Sequence, residues 1–424
     1  MKSQKIAIVG LGYVGLPLSV AFSKKYDVIG FDINPERIAD LSKGIDRTNE
    51  TSLEELNDAL KKGLSFTNDE KELFTSNIFI VTVPTPIDSL NAPDLGPLLS
   101  ATTTIGKYLK KDDIVIYEST TYPGCTEEDC VPLLEKTSGL TYNKDFYCGY
   151  SPERINPGDK VNTLTKIKKV TSGSTPQIAK IVDQLYASII DAGTHLALSI
   201  KVAEASKAIE NAQRDLNISF INELALIFDR MGIDTNDVLE AAATKWNFLR
   251  YTPGLVGGHC ISVDPYYLSY KAEQLGYHPA VILSGRRVNN SMASFVAGKV
   301  IHLLLEKGNY VKGAKTLILG MTFKENCPDT RNSKIPHVAK ELENNGVTID
   351  IYDPAADIHQ VEKEFGIKLL TQIPNSNSYD AIILAVAHHA FKSLNPRALL
   401  QSNEKGVVYD LKNFLPRDLV DGRL

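Results

Sequence analysis

The sequence predicts an α/β protein in which two domains built on parallel sheets flank a helical centre. Three observations carry this prediction. A short β-branched run, 5–9, ends in the glycine-rich turn 10–15; residues 200–231 contain neither proline nor glycine; and a second apolar run, 315–319, again ends in a glycine, Gly320. Buried strands that turn at glycine into a helix are typical of parallel sheets, and 424 residues are more than one such core usually holds.

The composition limits the binding partners and the cellular compartment that we expect for this protein. A formal charge of −5 and a pI near 6.0 give no electrostatic reason to bind nucleic acid or a membrane surface. No apolar run approaches the roughly 20 residues that span a bilayer, and we expect no secretory signal. Five cysteines are too few for a disulfide framework, and Cys125 and Cys130 lack the second pair that a zinc site needs. We therefore expect a reduced, cytoplasmic protein with no metal, nucleic-acid or membrane partner.

The N-terminal elements form a strand, a glycine turn, a helix and a second strand within about 30 residues, which is a βαβ unit. The expected strands are 5–9, 28–32, 78–83, 114–118 and 146–150, and the first helix is 14–25. Strands alternate with helical segments up to about residue 195. This alternation predicts a parallel, doubly wound sheet of the Rossmann type over residues 1–199.

The middle and the last third of the chain differ in pattern. The helix over 200–231 would span about 45 Å, and a helix of that length usually links domains or lies in a dimer interface. Further helices are expected at 236–243, 266–276 and 283–307. They make 200–310 a central helical and dimerisation domain. The later strands are expected at 315–320, 347–352, 381–386 and 407–411. They predict a C-terminal Rossmann-like domain over 311–424, without a full glycine fingerprint.

The glycine turn predicts a dinucleotide site. Gly10, Gly12 and Gly15 have Gly-x-Gly-x-x-Gly spacing between a strand and a helix, whose N-terminal amides would hold a pyrophosphate. Asp32 ends the second strand 20 residues after Gly12, where a carboxylate accepts hydrogen bonds from ribose hydroxyls and repels a 2′-phosphate. The pattern therefore favours NAD over NADP. Arg37 is the one nearby residue that could weaken this preference, or it simply flanks the adenosine.

The run 257–264, Gly-Gly-His-Cys-Ile-Ser-Val-Asp, is the most informative stretch of the chain. Its two glycines would leave room for a ligand beside the backbone, and the thiol of Cys260 follows at once. Together with a nicotinamide site, a nucleophilic cysteine indicates an oxidation through a covalent thioester. The alternative for Cys260 is a small buried hydrophobic residue. Asp264 could orient a water or accept a proton, or it caps a helix ahead of Pro265.

Other polar residues stand where ligands bind in α/β proteins. Lys207 and Asn211 are four apart on the long helix, so they share a face and could stabilise an oxyanion. A solvated charge beside a polar residue is the alternative. Glu153 follows a strand end, which is a ligand-binding position in open sheets. Lys324 and Arg331 follow the first strand of the last domain, where two cations suit phosphate groups, although they could be ordinary surface charges.

In order along the chain, these segments resemble the UDP-glucose/GDP-mannose dehydrogenase family. Its members are nucleotide-sugar 6-dehydrogenases that oxidise UDP-glucose, GDP-mannose and UDP-N-acetylhexosamines to uronic acids. The similar segments are 8–17, 118–124, 151–153, 207–211, 257–265 and 323–324. The match extends in this order over essentially the whole chain. Because 258–268 has no lysine before its aspartate, it resembles the N-acetylhexosamine branch rather than the UDP-glucose branch. Residues 245–248 and 151–158 resemble the bacterial enzymes of Vi-type capsule and O-antigen synthesis.

The resemblance implies a reaction and a set of residues. NAD accepts a hydride from C6 of UDP-N-acetylglucosamine, and Cys260 adds to the resulting aldehyde to form a thiohemiacetal. A second NAD accepts another hydride, which leaves a thioester on Cys260, and water then hydrolyses the thioester. The implied catalytic residues are Cys260, Lys207, Asn211, Asp264, Glu153 and Thr120, with Thr121 as the alternative to Thr120. The implied substrate contacts are Glu153, Arg154, Lys207, Asn211, Tyr251, Gly254, Gly257, Gly258, Arg287 and Lys324. The expected cofactor contacts are Gly10, Gly12, Tyr13, Val14, Gly15, Asp32, Arg37, Pro84, Thr85, Thr120 and Arg331.

Several alternatives stay open at this point. UDP-N-acetylgalactosamine differs from the preferred gluco epimer by one hydroxyl direction, and UDP-glucose is a third substrate. A two-electron hydroxy-acid dehydrogenase would need no thiol, and a non-catalytic NAD-binding regulator would not need Lys207, Asn211 and Cys260 together. Pro157 stands where the UDP-glucose enzymes carry a second glutamate, so no carboxylate role is assigned there. The resemblance also implies a homodimer through the long helix and a product used in surface-polysaccharide assembly.

Overall fold

The computed structural model describes residues 4–48, 50–88, 90–155, 161, 163–258, 261–374 and 377–424. The chain forms two compact units, Met1–Glu210 with Tyr266–His278, and Asn211–Pro265 with Pro279–Leu424. Each unit contains a sheet and helices, which confirms the predicted α/β class. The domain limits predicted at 199 and 310 stay predictions. None of the helices within the described ranges has the length and apolar character of a membrane span.

The first unit is built on an eight-stranded sheet. Its strands are β1 (Lys5–Val9), β2 (Asp27–Phe31), β3 (Ser65–Thr67), β4 (Ile78–Val81), β5 (Ile114–Tyr117), β6 (Tyr147–Tyr150), β7 (Lys169–Gly173) and β8 (Thr194–Leu196). They lie in the order β3-β2-β1-β4-β5-β6-β7-β8, and β4 and β5 are buried along their whole length. The chain reverses its direction of winding between β1 and β4. Doubly wound sheets bind nucleotides at such a switch point.

One strand pair departs from the predicted parallel sheet. β6 and β7 pair antiparallel, with Gly149 opposite Gly173 and Tyr150 opposite Ser172. The other neighbouring strands of this sheet run parallel. The prediction of a wholly parallel sheet is therefore wrong at this pair. Because β7 runs the opposite way, its first residue, Lys169, lies at the edge of the sheet where β5 and β6 end.

The helices begin and end at local signals. They are α1 (Gly15–Ser23), α2 (Pro35–Ser42), α3 (Leu53–Lys61), α4 (Gly96–Gly106), α5 (Val131–Ser138), α6 (Pro176–Ala187), α7 (Ile200–Met231), α8 (Thr235–Ala242), α9 (Asp264–Gln274), α10 (Ala280–Glu306), α11 (Ile335–Asn344) and α12 (Ile358–Phe365). The side chain of Asn34 caps α2, and Ser52 with Glu55 forms a capping box at the start of α3. Helix α1 matches the first predicted helix and is almost wholly buried, as its apolar sequence requires.

Helix α7 has the bounds that the sequence predicts. It runs for 32 residues, about 48 Å at the standard rise, and ends where Gly232 adopts a φ of +68°. In its second-unit part, Phe220, Ile227 and Met231 are 57%, 44% and 61% exposed. Their spacing of seven and four residues puts them on one side of the helix. The second unit therefore carries an apolar strip on α7, formed by these three residues.

The second unit is built on a five-stranded sheet in which every paired strand runs parallel. Its strands are β9 (Lys315–Leu319), β10 (Thr348–Tyr352), β11 (Ala381–Leu384), β12 (Val407–Asp410) and β13 (Gly422–Arg423). Their order is β10-β9-β11-β12-β13, which is a doubly wound arrangement. The predicted C-terminal Rossmann-like domain is thereby confirmed.

The strand ends of β9 and β10 are joined by backbone and carboxylate hydrogen bonds. Gly320, with a φ of +106°, donates from its amide to the carbonyl oxygen of Tyr352 at 2.8 Å. The Asp353 carboxylate accepts a hydrogen bond from the amide of Met321 at 2.6 Å. His388 Nε2 lies 3.0 Å from the same carboxylate oxygen, and both side chains are buried. The carboxylate at this strand end is therefore enclosed and bonded within its own unit.

Candidate active site

The three glycines of the first turn have three different surroundings. Gly10 has a φ of +96°, and a Cβ there would lie 3.1 Å from the backbone of Thr82 and Val83. At Gly15, a Cβ would lie 1.8 Å from the carbonyl oxygen of Gly10. At Gly12, it would meet nothing within 4 Å. The turn therefore needs glycine for its tight bend, for the close packing of α1 on β1, and for open access to the backbone, as a pyrophosphate-binding turn does.

Asp32 lies beside this turn, as predicted from its position after β2. Its Oδ2 accepts a hydrogen bond from the amide of Leu11 at 2.8 Å, and its Oδ1 accepts one from the amide of Asn34 at 2.9 Å. Tyr13 and Val14, in the same turn, are half-buried, as Asp32 is. A carboxylate held in this place keeps further lone pairs for ribose hydroxyls, and its charge disfavours a 2′-phosphate.

Arg37 is held by its own domain. Its Nε donates to the carbonyl oxygen of Leu11 at 2.9 Å, and its Nη2 lies 2.9 Å from Asp46 Oδ1. Burial raises the pKa of Asp46, but hydrogen bonds from Thr48 and Thr51 and the charge of Arg37 outweigh burial and lower it. The guanidinium is therefore paired with a carboxylate, which removes the one feature that weakened the predicted preference for NAD.

Two further expected cofactor contacts follow β4. Pro84 is exposed and Thr85 is half-buried, and both lie just beyond the carboxyl end of the strand. Between them and the strand, the hydroxyl of Thr82 donates to the carbonyl oxygen of Gly10 at 2.7 Å. The structure thus brings Pro84 and Thr85 to the same edge of the sheet as the glycine turn.

The neighbouring Thr120 and Thr121 differ in their surroundings. Thr121 is buried and its hydroxyl bonds to Glu204 Oε1 at 3.4 Å, whereas Thr120 is half-buried. Glu204, on α7, also accepts a hydrogen bond from the amide of Thr126 at 2.9 Å, and burial raises its pKa to about 7. Lys207 follows three residues later and is 6% exposed. Thr121 is thus buried and bonded within the unit, whereas Thr120 is the more exposed of the two residues.

Glu153 is buried just beyond the end of β6. Its Oε1 accepts hydrogen bonds from the amides of Arg154 and Ile155, at 2.5 and 2.6 Å, and its Oε2 accepts one from Lys169 Nζ at 2.9 Å. Burial raises the pKa of Glu153, but the charge of Lys169 and these hydrogen bonds outweigh burial and lower it. The carboxylate is therefore ionised and fixed in orientation.

Two predicted site residues meet although they are far apart in sequence. Asn211 Nδ2 donates to Asp264 Oδ2 at 2.5 Å, and both side chains are buried. Asp264 lies in the first turn of α9, close to the capping position that was its alternative reading. Lys207 lies one turn before Asn211 on α7. The hydrogen bond fixes the Asn211 amide and the Asp264 carboxylate in one orientation.

Buried amide side chains hold the loop that follows α8. Asn222 donates to the carbonyl oxygen of Gly254 at 3.0 Å and accepts from the Gly254 amide at 2.8 Å. Asn289 accepts a second hydrogen bond from Asn222, at 2.8 Å, and itself donates to Asp215 Oδ1 at 2.6 Å. Tyr251, at the start of the loop, is half-buried. The loop conformation around Gly254 is thus set by a network that reaches into α7 and α10.

The glycines before Cys260 allow a close approach within the chain itself. A Cβ on Gly257 would lie 2.7 Å from the carbonyl oxygen of Asn332, and one on Gly258 would lie 2.9 Å from the ring of Phe323. Packing within the unit is therefore a sufficient reason for glycine at both positions, and a ligand beside this backbone stays a prediction. The two glycines let this loop pack against the segment that carries Lys324, whose side chain is half-buried.

Three arginines expected at the site have different surroundings. Arg154 Nε donates to Glu210 at 3.2 Å, and Arg331 Nε donates to Asp329 at 2.9 Å. Arg287 is exposed. Each of the first two is paired with a carboxylate close by in its own unit, so neither presents an uncompensated charge.

The predicted nucleophile, Cys260, lies outside the described residues, as do His259 and Pro157. Sequence reasoning missed four buried polar residues that organise the site: Glu118, Lys169, Glu204 and Asn222. The available signal was a charged or amide side chain inside an otherwise apolar run, as at Glu204 between two alanines. No group of three or more histidine, cysteine or acidic side chains that could hold a metal ion occurs in the described part of the chain.

Comparison with known protein families accounts for most of the chain. Residues 4–190 match the NAD binding domain of the UDP-glucose/GDP-mannose dehydrogenase family. Residues 201–291 match its central domain, and residues 317–417 match its UDP binding domain. The match to the NAD binding domain confirms the predicted cofactor.

Comparison with individual proteins gives high similarity over full length. The chain is 57% identical to UDP-N-acetyl-D-glucosamine 6-dehydrogenase of Pseudomonas aeruginosa, covering 100% of both chains. It is 54% identical to the Salmonella typhi protein of the same name, covering 99% of this chain and 98% of that one. Among solved structures, UDP-D-ManNAc dehydrogenase from Pyrococcus horikoshii matches with a TM-score of 0.90 and 31% identity, over 99% of this chain and 98% of that one.

Proposed function

Because the chain belongs to the UDP-glucose/GDP-mannose dehydrogenase family, we propose that it is an NAD-dependent UDP-N-acetyl-D-glucosamine 6-dehydrogenase. It converts the C6 alcohol of the sugar to a carboxylate, for surface-polysaccharide synthesis. The observation that carries the choice of sugar is the 57% identity, over both whole chains, to a protein of that name. UDP-N-acetyl-D-galactosamine and UDP-glucose are the alternative substrates.

The cofactor half of the proposal is supported by the first unit. Gly12 leaves the backbone open to a pyrophosphate, and Asp32 offers a carboxylate to ribose hydroxyls. Arg37 is paired with Asp46 and so does not favour a 2′-phosphate. When bound, NAD supplies the hydride acceptor that each of the two oxidation steps needs.

The chemistry at C6 falls to four residues. Lys207 and Asn211 stabilise the alkoxide and the later oxyanion, because an ammonium and an amide N–H both favour negative charge. Cys260 adds to the C6 aldehyde to give a thiohemiacetal, whose oxidation leaves a thioester. Asp264 assists proton transfer near the thiol. The buried hydrogen bond between Asn211 and Asp264 supports these roles, since it holds both groups in fixed orientations.

Hydrolysis of the thioester needs a positioned water. Glu153 and Thr120 hold this water and the substrate. Two backbone amides and the Lys169 ammonium fix the orientation of the Glu153 carboxylate, and a fixed carboxylate supports this role because it can accept a proton from a positioned water. The remaining substrate contacts are Arg154, Arg287, Lys324 and the loop residues Tyr251, Gly254, Gly257 and Gly258. Arg331 is the remaining cofactor contact.

We also propose a homodimer that pairs through the central region, within a division into domains 1–199, 200–310 and 311–424. The exposed apolar strip of Phe220, Ile227 and Met231 on α7 supports it, because such a strip on a long helix is the pattern of a buried interface. Sedimentation velocity measures the mass, and a monomer at micromolar concentration would contradict the proposal.

A cytoplasmic location completes the proposal. Cys125, Cys130, Cys148 and Cys327 are free and buried. The mechanism also requires Cys260 as a free thiol or thiolate, which a reducing compartment preserves. Dehydrogenase activity in the soluble fraction of lysed source cells, rather than in a secreted fraction, is the expected outcome.

NADH release with limiting sugar tests the function. Purified protein receives excess NAD and limiting UDP-N-acetylglucosamine, with UDP-N-acetylgalactosamine, UDP-glucose and an NADP reaction in parallel. We expect about two NADH per sugar and the highest kcat/KM with the gluco epimer. Cys260→Ser should abolish the four-electron oxidation, and Cys148→Ser, at a buried cysteine, is the matched control.

Each other result has a definite meaning. About one NADH per sugar, or a full rate in Cys260→Ser, would replace the thioester route by a simple two-electron dehydrogenase. A higher kcat/KM with another UDP-sugar would change the substrate but not the reaction. Absence of NADH with all three sugars, together with NAD binding, would indicate a non-catalytic regulator.

A further inference from the structure

Lys169 stands between two buried carboxylates. Its Nζ lies 2.7 Å from Glu118 Oε2 and 2.9 Å from Glu153 Oε2. The three side chains are only 3%, 0% and 10% exposed. The hydroxyl of Tyr186 donates to the other oxygen of Glu118. One ammonium therefore serves two carboxylates in a place from which water is almost excluded.

The reversed strand puts this ammonium where it is. Glu118 directly follows β5 and Glu153 lies three residues beyond β6, so both carboxylates stand at the carboxyl-end edge of the sheet. Lys169 is the first residue of β7, and the antiparallel pairing brings the amino end of β7 to that edge. A parallel strand would present its last residue, Gly173, there instead. The antiparallel pair thus delivers a lysine to two strand-end carboxylates.

The two carboxylates differ in their remaining partners. Glu153 also accepts hydrogen bonds from two backbone amides, and its pKa is lowered despite burial. No backbone amide among the described residues donates to the Glu118 carboxylate, and burial raises its pKa to about 7 although Lys169 opposes this. Lys169 itself loses solvation, which lowers its pKa, but the two carboxylates outweigh this and raise it. Glu153 is therefore the carboxylate whose pKa the cluster and the two amides together hold low.

A buried ion cluster is a costly way to hold a fold together. Removing an ammonium and two carboxylates from water costs several kcal/mol per ion, and apolar residues of similar volume often replace such a group without loss of stability. At 10% exposed, Glu153 is the least buried of the three side chains. The position of the cluster next to a residue of the proposed reaction favours a role in catalysis over a purely structural one.

We propose that Lys169 is a positioning residue, which holds the Glu153 carboxylate ionised and correctly oriented for hydrolysis of the thioester. This inference rests on the proposed function. In that step the oxygen of a water bonds to C6 and its proton passes to Glu153. The C6–sulfur bond then breaks with its electron pair on the sulfur of Cys260. Glu153 afterwards gives the proton to solvent, and no electrons are transferred in this half of the reaction.

Three variants test the role by transient kinetics. Lys169→Met removes the ammonium, Lys169→Arg keeps a cation, and Lys271→Met is the matched control. Lys271 pairs with Glu128 in the same unit and has no contact with Glu153 among the described residues. Stopped-flow absorbance measures the NADH burst, which reports the two oxidations, and the later steady rate, which reports hydrolysis. The pH dependence of the steady rate reports the ionisation of Glu153.

We expect Lys169→Met to keep the burst while its steady rate falls about tenfold or more. Without the cation the pKa of Glu153 rises, so the acidic limb of the rate profile should move to higher pH by at least about one unit. Lys169→Arg should return the limb toward that of the parent. Lys271→Met should keep the parent rate and profile.

A loss of burst and steady rate together, with an unmoved acidic limb, would overturn the inference and leave Lys169 a structural role. If Lys169→Met does not fold, the double variant Glu118→Gln/Lys169→Met removes the second unpaired charge and gives the same readout. Failure of the parent protein to form NADH from any UDP-sugar would instead overturn the proposed function. The two failures are therefore distinguishable.

Discussion

The first glycine turn offers a test in which two similar substitutions should affect different properties, one the stability and the other the binding of NAD. Gly15→Ala would place a Cβ 1.8 Å from the carbonyl oxygen of Gly10 and 2.5 Å from Thr82 Oγ1. A backbone oxygen cannot rotate away, so β1 and α1 must move apart. Overpacking of this kind costs about 2–3 kcal/mol. At about 2–4 °C per kcal/mol for a unit of this size, the melting temperature should fall by about 4–12 °C.

Gly12→Ala should leave the stability of the protein unchanged and weaken the binding of NAD. Its Cβ would meet nothing within 4 Å, so no neighbour has to move. The methyl group would stand where a pyrophosphate approaches the backbone, and the lost amide contacts should raise the KM for NAD by about tenfold or more. The same lost contacts should reduce the rise in melting temperature that NAD produces in the parent protein.

Differential scanning fluorimetry, with and without NAD, and initial rates at varied NAD measure both effects. The relevant transition is the one that NAD raises in the parent protein, because a chain of two units need not unfold in a single step. If Gly15→Ala melts within about 1 °C of the parent, the close approach of α1 to β1 is not what the turn requires. If Gly12→Ala binds NAD as the parent does, the open face of the turn is not the pyrophosphate site.

Two further substitutions test the second unit. Asn222→Ala removes both hydrogen bonds to Gly254, and an unmet buried hydrogen bond costs about 1–2 kcal/mol. Initial rates should show the KM for UDP-sugar about tenfold higher, with the KM for NAD unchanged. Equal rises in both KM values would contradict this. Asp234→Asn keeps the cap of α8 but removes ion pairs with Arg417 and Arg423. Burial raises the pKa of Asp234, but hydrogen bonds and charge from the arginines lower it to about 2, so these pairs stabilise fully above about pH 4 and are lost as the pH falls through about 2. Urea unfolding should therefore separate parent and variant by about 1 kcal/mol at pH 7 and bring them together near pH 2, and a constant difference would contradict the assignment.

The elements with strong local signals could be predicted from the sequence. The bounds of α7 follow from a helical pattern without proline or glycine that ends at Gly232. The turn at Gly10 and the carboxylate at Asp32 follow from spacing, and the structure places them side by side through Leu11. In these cases a few neighbouring residues determine the conformation, so the local pattern is sufficient.

Long-range features could not be predicted in this way. Strand direction depends on how the chain returns to the sheet, so the antiparallel β7 leaves no mark in its own five residues. Lys169 looks like a charge that ends a strand until its two distant partners, Glu118 and Glu153, are seen. Gly257 and Gly258 show the related limit, because a glycine signals a close approach but does not tell whether a ligand or the chain itself approaches.

The two sheets carry the same hydrogen-bond arrangement at two of their strand ends. Gly10 donates to Phe31 at 2.8 Å just as Gly320 donates to Tyr352 at 2.8 Å. The next amide bonds in each case to the aspartate after the neighbouring strand.

The two arrangements differ in the surroundings of the aspartate. In the second unit His388 lies 3.0 Å from the Asp353 carboxylate, and both side chains are buried. This carboxylate is therefore bonded within its own unit and is not available to a ribose. A nucleotide bound by the second unit would therefore be held by groups other than this carboxylate. An attempt to graft a second dinucleotide site onto this unit would have to remove His388 before any change to the glycines could succeed.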